Sequence, residues 1–306
     1  MEDIHVFCPA TIANISCGFD VLGLALASVG DEMVVRKISK KGIFISKIEG
    51  QNLPKETHLN VAGIAGQAFM KKSTYQGGFE IEIYKQIKPG SGIGSSAASS
   101  AAVVVAMNKL LGEPFSPLQL VEFAMEGECS VSGIPHADNV SAAIFGGITL
   151  VRSYDPLDII SLNIPKEIYV TVIHPQIEIK TSDSRKVLSS NISLKNGIKQ
   201  WGNLGGFIAG LYTENYELIG HSLKDYIVEP LRSKLIPFFH QIKLGSMEAG
   251  ALGCGISGSG PSIYALSKGC NKAEKVASAM HHIYDKTGID YDIHVSEINI
   301  EGIKVL

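Results

Sequence analysis

The segment KPGSGIGSSAASSAAVVVAMNKLLG, from Lys88 to Gly112, joins a flexible stretch directly to a rigid one. Glycine stands at positions 90, 92 and 94, two serines follow, and the alanine-rich run after them has good helix-forming composition. Backbone N–H groups of a glycine-rich loop, together with the positive end of a helix dipole, can surround a phosphate group. The sequence therefore predicts an anion site here, and a strand–turn–helix junction that binds nothing is the alternative.

Two common nucleotide-binding motifs do not describe this loop. A Walker A loop requires Lys-Ser or Lys-Thr after its last glycine, whereas Gly94 is followed by Ser95. A dinucleotide fingerprint requires another glycine spacing and an acidic residue at the end of a strand about twenty residues later, and the sequence has neither. A phosphate site in this loop would belong to a different class.

Regular elements on both sides would position the loop. Apolar and polar residues alternate in FEIEIYK, Phe79 to Lys85, which predicts a strand that leads into the loop. Further on, Ser116 as N-cap and Pro117 at the first helical position predict a helix from about Pro117 to Cys129.

The pattern changes after about residue 151. A strand-like segment is followed by several helix-like segments, and GCGISGSGPSIYAL then gives a second glycine loop that runs into a strand. A chain of 306 residues is long enough for two packed lobes. The boundary is expected near residues 152–166, which divides the chain into domains 1–158 and 159–306.

Composition excludes several classes of function. Charged residues make up 19% of the chain, the net charge is -3, and no Lys/Arg cluster is interleaved with aromatics, so no nucleic-acid partner is expected. The opening MEDIHVFCPA lacks the features of a signal peptide, and the longest apolar run is too short and serine-rich to span a bilayer, so no membrane partner is expected. The five cysteines are scattered without CxxC spacing, which disfavours disulfides and structural zinc and predicts a cytoplasmic location.

Three segments carry a resemblance to a known family. PGSGIGSSAASSAA closely resembles the phosphate-binding motif of the GHMP kinases, the family of galactokinase, homoserine kinase, mevalonate kinase and phosphomevalonate kinase. PATIANISCGFDVLGLAL (Pro9 to Leu26) and GCGISGSGPSIYAL (Gly253 to Leu266) resemble the family's first and third motifs, in the family's order. The resemblance implies an α+β, two-lobed GHMP kinase fold, with an N-terminal lobe similar to the second domain of ribosomal protein S5 and a ferredoxin-like C-terminal lobe.

Two stretches resemble one branch of that family. The PATxANxxxGFD form of the first motif and the segment HADN, His136 to Asn139, are similar to homoserine kinases, whereas mevalonate kinase and its relatives differ at the second place. The resemblance implies ATP-dependent phosphorylation of the L-homoserine hydroxyl to O-phospho-L-homoserine in threonine biosynthesis, and a homodimer. Another GHMP kinase with a mevalonate-like or sugar acceptor, and a non-catalytic nucleotide-binding regulator, are the alternatives.

The resemblance also implies a site for ATP and Mg²⁺. Ser96 and Glu128 match the family's metal-contacting residues and are expected to be catalytic, with Glu126 as the nearest competitor of Glu128. Asn60 would approach the purine, or it would be an ordinary polar residue in the first turn of a helix. The residues expected to bind ATP are Asn60, Pro89, Gly90, Ser91, Gly92, Ile93, Gly94, Ser95, Ser96, Ala97, Ala98 and Ser99.

The charges of homoserine and of the candidate side chains predict the acceptor site. Homoserine is a zwitterion with a terminal hydroxyl, so its site must offer an anion, cations and polar groups. The residues that match the family's substrate-binding positions are Asn14, Asp20, His136, Asp138, Arg185 and Arg232. An acceptor without an ammonium group would leave Asp20 or Asp138 without a cationic partner, which disfavours the other GHMP acceptors. The presence of both Ser96 and Glu128 disfavours the regulator.

The general base is left open by the sequence. Several relatives of homoserine kinase use an aspartate as the base, and either Asp138 or Asn139 aligns with it. An asparagine could not serve. Asp138 is therefore predicted as a substrate contact among the catalytic residues, and homoserine kinases are expected to rely on positioning and electrostatic stabilisation.

Overall fold

The computed structural model describes residues 3–306, apart from the side chain of Ser132, as two lobes with one β-sheet each. Within that range, no helix has the length and apolar character that a membrane span requires.

The sheet of the first lobe has seven strands. They are β1 (Asp3–Ala13), β2 (Leu22–Ile38), β3 (Gly42–Glu49), β4 (Gly78–Tyr84), β5 (Ile148–Tyr154), β6 (Leu157–Leu162) and, from the far end of the chain, β11 (Lys304–Val305). The strand order is β11-β1-β2-β4-β3, and β5 pairs with both β2 and β6. Strand β4 lies within one residue of its predicted bounds, because its alternating apolar side chains face the core and are at most 1% exposed.

Four helices pack against this sheet and against one another: α1 (Val61–Lys72), α2 (Ser95–Leu110), α3 (Pro117–Ser132) and α4 (Asp138–Phe145). Small residues let α2 lie close to β1 and β2, and Ala97, Ala98 and Ala101 are fully buried. Helix α3 begins at the predicted residue, where Ser116 and Gln119 form a capping box. It continues three residues past the predicted end at Cys129, until Gly133 adopts a φ of 78° and terminates it.

The second lobe has a four-stranded antiparallel sheet in the order β10-β7-β9-β8. Its strands are β7 (Ile168–Pro175), β8 (Gly253–Ile256), β9 (Ile263–Lys268) and β10 (Tyr291–Glu297). Its helices are α5 (Thr181–Lys186), α6 (Leu194–Thr213), α7 (Tyr216–Ser222), α8 (Glu229–Arg232), α9 (Phe239–Glu248) and α10 (Cys270–Tyr284). A core of its own, which includes Ile173, Ile263 and Met280, lies between this sheet and helices α9 and α10.

The two lobes share a second, larger core. It joins residues of the first sheet, such as Leu24, to Val170, Phe207 and Tyr264 of the second lobe. The end of the chain also returns to the first lobe, where β11 pairs with β1. The expected boundary between residues 158 and 159 falls inside β6, whose pairing with β5 extends to Leu162. The two lobes are therefore joined by a common core and by strand pairing.

Candidate active site

A cleft of about 430 Å³ lies between the lobes at the N-terminal end of α2. The glycine loop forms one wall. Gly90, Gly92 and Gly94 have φ values of 73°, 83° and 74°, a left-handed conformation that favours glycine. Gly94 is the N-cap of the 16-residue helix α2, so the positive end of that helix dipole lies at the cleft beside bare backbone N–H groups.

A buried ion pair fixes both ends of this loop. Lys85 Nζ contacts the carboxylate of Asp31, and it also donates to the carbonyl oxygen of Ser95 at 2.8 Å and to Ser99 Oγ at 3.1 Å. The other carboxylate oxygen of Asp31 accepts the N–H groups of Gln86 and Ile87 at 2.8 and 2.9 Å. Lys85 also lines the cleft. Sequence reasoning missed this pair, although a lysine at the end of a strand that enters a glycine loop was the available signal.

The second glycine loop packs on the first. Ser257 Oγ donates to the carbonyl oxygen of Gly92 at 2.7 Å, and the N–H of Ser262 donates to the carbonyl oxygen of Ser91 at 3.2 Å. A Cβ at Gly92 would lie 2.6 Å from the carbonyl oxygen of Gly260. The glycine at position 92 is therefore required by the contact between the two loops as well as by its φ.

The predicted ATP-binding residues divide into two groups. Those that line the cleft are Asn60, Pro89, Gly90, Gly92, Gly94, Ser95, Ser96 and Ser99. Those that do not line it are Ser91, Ile93, Ala97 and Ala98, whose side chains are buried. The second group belongs to the packing of the loop and of α2 against the first lobe.

Asn60 is the N-cap of α1, immediately before its first turn. Its Oδ1 accepts the N–H of Ala62 at 3.0 Å and its Nδ2 donates to the carbonyl oxygen of Pro54 at 2.8 Å. The side chain thus caps a helix while it borders the cleft.

Ser96 of α2 and Glu128 of α3 both line the cleft. Burial raises the pKa of Glu128 to about 7, against the smaller, opposing effect of the Ser96 hydroxyl. Glu126 is exposed and does not line the cleft, so packing of α3 separates the two candidates left open by the sequence. No cluster of three or more His, Cys, Asp or Glu side chains able to hold a metal occurs within residues 3–306. One carboxylate and one hydroxyl are the kind of oxygen set that binds Mg²⁺ together with phosphate and water.

Charged side chains from three segments meet at the other end of the cleft. Arg185 Nη2 lies 3.0 Å from each carboxylate oxygen of Asp20 and 2.9 Å from His136 Nε2. The Nε of Arg185 is buried and has no hydrogen-bond partner among the described residues. Burial lowers the pKa of His136, and the two arginines lower it further, against the opposing effect of Asp20. The predicted acceptor residues therefore form one contiguous cluster.

Arg232 is held by the backbone of the second lobe. Its Nε donates to the carbonyl oxygen of Ser184 at 3.1 Å and its Nη1 to that of Gly258 at 2.9 Å. Burial, followed by repulsion from Arg185, lowers the pKa of Arg232 to about 10. The guanidinium groups of Arg185 and Arg232 lie 5.5 and 5.1 Å from the centre of the Phe19 ring, a residue that sequence reasoning did not select.

Asp138 is the first residue of α4 and is 4% exposed. Burial raises its pKa to about 7, and repulsion from Asp20 contributes in the same direction. A carboxyl group with such a pKa is half ionised near neutral pH, a property of residues that exchange protons with a substrate. Its neighbour Asn139 also borders the cleft and accepts the hydroxyl of Thr11 at 2.7 Å.

Asn14 lines the cleft, yet the chain itself uses both ends of its amide. Nδ2 donates to the carbonyl oxygen of Gly258 at 2.9 Å and Oδ1 accepts the N–H of Asp20 at 3.0 Å. Asn14 therefore joins the first motif to the third.

Two family models and several known proteins are similar to this chain. The family model described as "GHMP kinases N terminal domain" matches residues 52–147, and that described as "GHMP kinases C terminal" matches residues 207–286. A homoserine kinase of Chloroherpeton thalassium is 43% identical over 100% of both chains. The crystal structure of homoserine kinase from Cytophaga hutchinsonii is 47% identical, with a TM-score of 0.96 over 100% of this chain and 98% of that one. Mevalonate kinase of L. major, at 14% identity, has a TM-score of 0.72 over 97% of this chain and 96% of that one and shares the fold.

Proposed function

The chain belongs to the GHMP kinase family, and from that premise we propose that it transfers the γ-phosphoryl group of ATP to the hydroxyl of L-homoserine. The product is O-phospho-L-homoserine, an intermediate of threonine biosynthesis. The α+β, two-lobed GHMP kinase fold expected from the sequence is confirmed by the family models and by the similar solved structures.

The observation that carries the proposal is the charge arrangement around Asp20 and Arg185, in the same cleft as the glycine loop. An amino acid brings a carboxylate for the arginines and an ammonium for the aspartates, and its hydroxyl would then face the loop end of the same cleft. Mevalonate has a carboxylate but no ammonium group, so it would compete for Arg185 and leave the half-buried Asp20 carboxylate without a cationic partner. A sugar has neither charge and would leave the pair of Asp20 and Arg185 unused.

The nucleotide would bind along the glycine loop. Backbone N–H groups at the start of α2 would hold its phosphates. Asn60, at the capped start of α1, would border the purine. The ion pair between Lys85 and Asp31 keeps the loop in the shape that this requires.

Ser96 and Glu128 fit Mg²⁺ as ligands, because a hydroxyl and a carboxylate that line the same cleft leave further positions for phosphate oxygens and water. When bound, the ion would neutralise charge on the β- and γ-phosphates. Its binding would also favour the ionised form of Glu128, which burial alone disfavours.

The reaction itself needs positioning more than covalent chemistry. In a loose transition state the attacking hydroxyl develops little charge, so a correctly aimed acceptor and a stabilised phosphoryl group supply most of the catalysis. Arg185, Arg232 and Asp20 would aim the acceptor. Asp138 would contact it, and the turnover of Asp138→Asn separates that role from transfer of the hydroxyl proton.

Two further properties are proposed. The protein forms a homodimer, which light scattering of the purified chain would test. Its compartment is the cytoplasm, in keeping with five cysteines that are all free within residues 3–306.

A coupled assay with ATP, Mg²⁺ and a panel of homoserine, mevalonate, galactose and shikimate tests the proposed reaction. We expect turnover with homoserine only. Turnover with another acceptor would replace the substrate assignment, and nucleotide binding without any turnover would replace the enzyme by a regulator.

A further inference from the structure

Asp20 lies in a turn of unusual backbone conformation between β1 and β2. Four residues of this turn that are not glycine have positive φ: Asn14 (74°), Ile15 (41°), Ser16 (56°) and Asp20 (59°). Such conformations are disfavoured for residues with a Cβ and persist only where surrounding contacts hold them. The position of the Asp20 carboxylate therefore depends on what fixes its backbone.

Both polar backbone groups of Asp20 have hydrogen-bond partners, one in the same turn and one in a distant part of the chain. Its N–H donates to Asn14 Oδ1 at 3.0 Å, and its carbonyl oxygen accepts the hydroxyl of Tyr154 at 2.8 Å. Tyr154 is the last residue of β5 and lies 134 positions away in the sequence. A hydrogen bond over this distance joins the turn to the β5–β6 hairpin.

The same hydroxyl also forms a hydrogen bond with a second segment of the homoserine site. It accepts the N–H of Ala137 at 3.3 Å, and Ala137 is a fully buried residue between His136 and Asp138. One hydroxyl thus donates to the Asp20 turn and accepts from the HADN segment, which uses both functions of a phenol. The chain also packs tightly here, since a Cβ at Gly23 would lie 1.9 Å from the carbonyl oxygen of Asp138.

Tyr154 does not line the cleft, so it would not touch the acceptor. Its hydroxyl carries the donated proton at neutral pH, as an ordinary phenol does, and burial, followed by the charge of Asp138, raises the pKa of Tyr154 further. Phenylalanine would leave the Asp20 carbonyl and the Ala137 N–H without this partner. The direct hydrogen-bonded link between the two segments would then be lost.

We propose that Tyr154 is a positioning residue of the acceptor site, whose hydroxyl holds the Asp20 turn against the segment that carries His136 and Asp138. The inference rests on the proposed function, because the acceptor is taken to be a zwitterion whose ammonium group binds Asp20. Tyr154 acts through the backbone of residues 20 and 137, and Asp20 makes the contact with the substrate.

Steady-state kinetics of Tyr154→Phe test the proposal, with Tyr169→Phe as matched control. Tyr169 lies in β7 of the other lobe and its hydroxyl donates to Glu297 at 2.9 Å, outside the cleft. We expect Tyr154→Phe to raise KM for homoserine about tenfold, the factor for one hydrogen bond of ordinary strength, and to leave KM for ATP unchanged. The control should change neither value. An equal rise in both KM values of Tyr154→Phe would indicate a general loss of structure and overturn the proposal.

A double-mutant cycle with Asp20→Asn identifies the route of the effect. Homoserine binding is measured by calorimetry in the wild type, in each single variant and in the double variant. If Tyr154 acts through Asp20, Tyr154→Phe weakens binding in the wild-type background and has little effect in the Asp20→Asn background. Equal losses in both backgrounds would overturn the proposal.

Hydrogen exchange of the wild-type enzyme gives a measurement that does not depend on folding of a variant. The Ala137 amide should be protected, and homoserine should slow its exchange further. No change on addition of homoserine would count against the proposal. A wild-type protein that neither binds nor phosphorylates homoserine would refute the proposed function itself, whereas normal wild-type activity with an unaffected Tyr154→Phe variant refutes only the role of Tyr154.

Discussion

Arg185 and Asp20 neutralise one another in the acceptor site, where Nη2 of the arginine lies 3.0 Å from each oxygen of the carboxylate. An acceptor that approaches this pair must offer an equivalent charge to each partner. A zwitterion does so, because its carboxylate can face the guanidinium while its ammonium faces the aspartate. An acceptor with one charge would satisfy one partner and leave the other unpaired.

Arg185→Lys should retain the positive charge but lose the planar fork that holds a carboxylate. We expect transition-state stabilisation, calculated from the ratio of the wild-type and variant kcat/KM values for homoserine, to weaken by about 1–3 kcal/mol, the scale of a hydrogen bond to a charged group. KM for ATP should not change. Arg152→Lys is the control, since Arg152 pairs with Asp158 on an exposed hairpin. Arg232→Lys is a less specific test of carboxylate binding, because two N–H groups of Arg232 also donate to backbone carbonyl oxygens. This variant should therefore lower the melting temperature as well.

Glu128→Gln should lower kcat by orders of magnitude, because the amide cannot replace a carboxylate as a ligand of Mg²⁺. The fold should survive, since glutamine is neutral and of nearly equal size. Glu126→Gln, two residues earlier on the same helix and exposed, should be as active as the wild type. Full activity of Glu128→Gln at saturating Mg²⁺ and ATP would remove Glu128 from the site.

The pH dependence of unfolding should report Asp138. Its pKa rises from 3.8 to about 7 on folding, so the native state binds the proton more tightly than the unfolded state. Between these two pH values the free energy of unfolding should therefore decrease as pH increases. Asp138→Asn should flatten that part of the curve in chemical denaturation at a series of pH values. An unchanged slope would show that the Asp138 pKa is not raised.

The pH dependence of kcat/KM, compared between the wild type and Asp138→Asn, tests whether Asp138 takes the proton of the homoserine hydroxyl. If Asp138 takes the hydroxyl proton, kcat/KM of the wild type rises with pH through about 7 and Asp138→Asn is almost inactive at every pH. If it only contacts the acceptor, the wild type still shows this limb, because the ammonium pairs with the ionised carboxylate, but the variant keeps measurable turnover.

Gly94→Ala should weaken ATP binding and also destabilise the fold. A Cβ there would lie 2.0 Å from Thr11 Oγ1, in addition to the cost of a φ of +74°. Gly112→Ala is the matched control, because its φ is +76° but no atom lies within 4 Å of the added Cβ. The control should lose about 1 kcal/mol from the backbone strain alone and bind ATP normally. Thr11→Ala should restore part of the melting temperature of Gly94→Ala by removing the contacted oxygen, and no recovery would contradict this explanation.

Asn60→Ala and Ser116→Ala remove N-caps from α1 and α3, respectively. Each should cost about 1 kcal/mol of stability, measured by chemical denaturation. Only Asn60 borders the cleft, so only Asn60→Ala should also raise KM for ATP. A normal KM for ATP in this variant would reduce Asn60 to a helix cap.

The sequence alone determined the features that depend on neighbours along the chain. Ser116, Pro117 and Gln119 define the start of α3 through capping within four residues, and alternating apolar residues define β4. Glycines at positions 90, 92 and 94 supply the positive φ values of the loop. The family could likewise be inferred from three short motifs, and its reaction from the first motif and the segment HADN, because each retains its own local sequence.

Tertiary structure alone decided which distant groups meet. Glu126 and Glu128 are two residues apart and point roughly 200° apart around α3, so only the packing of that helix brings one to the cleft. The partners Lys85 with Asp31 and Tyr154 with Asp20 lie 54 and 134 positions apart. Phe19 lies against two arginines of the other lobe. No local pattern encodes such contacts, because they arise only when both lobes pack around a common core.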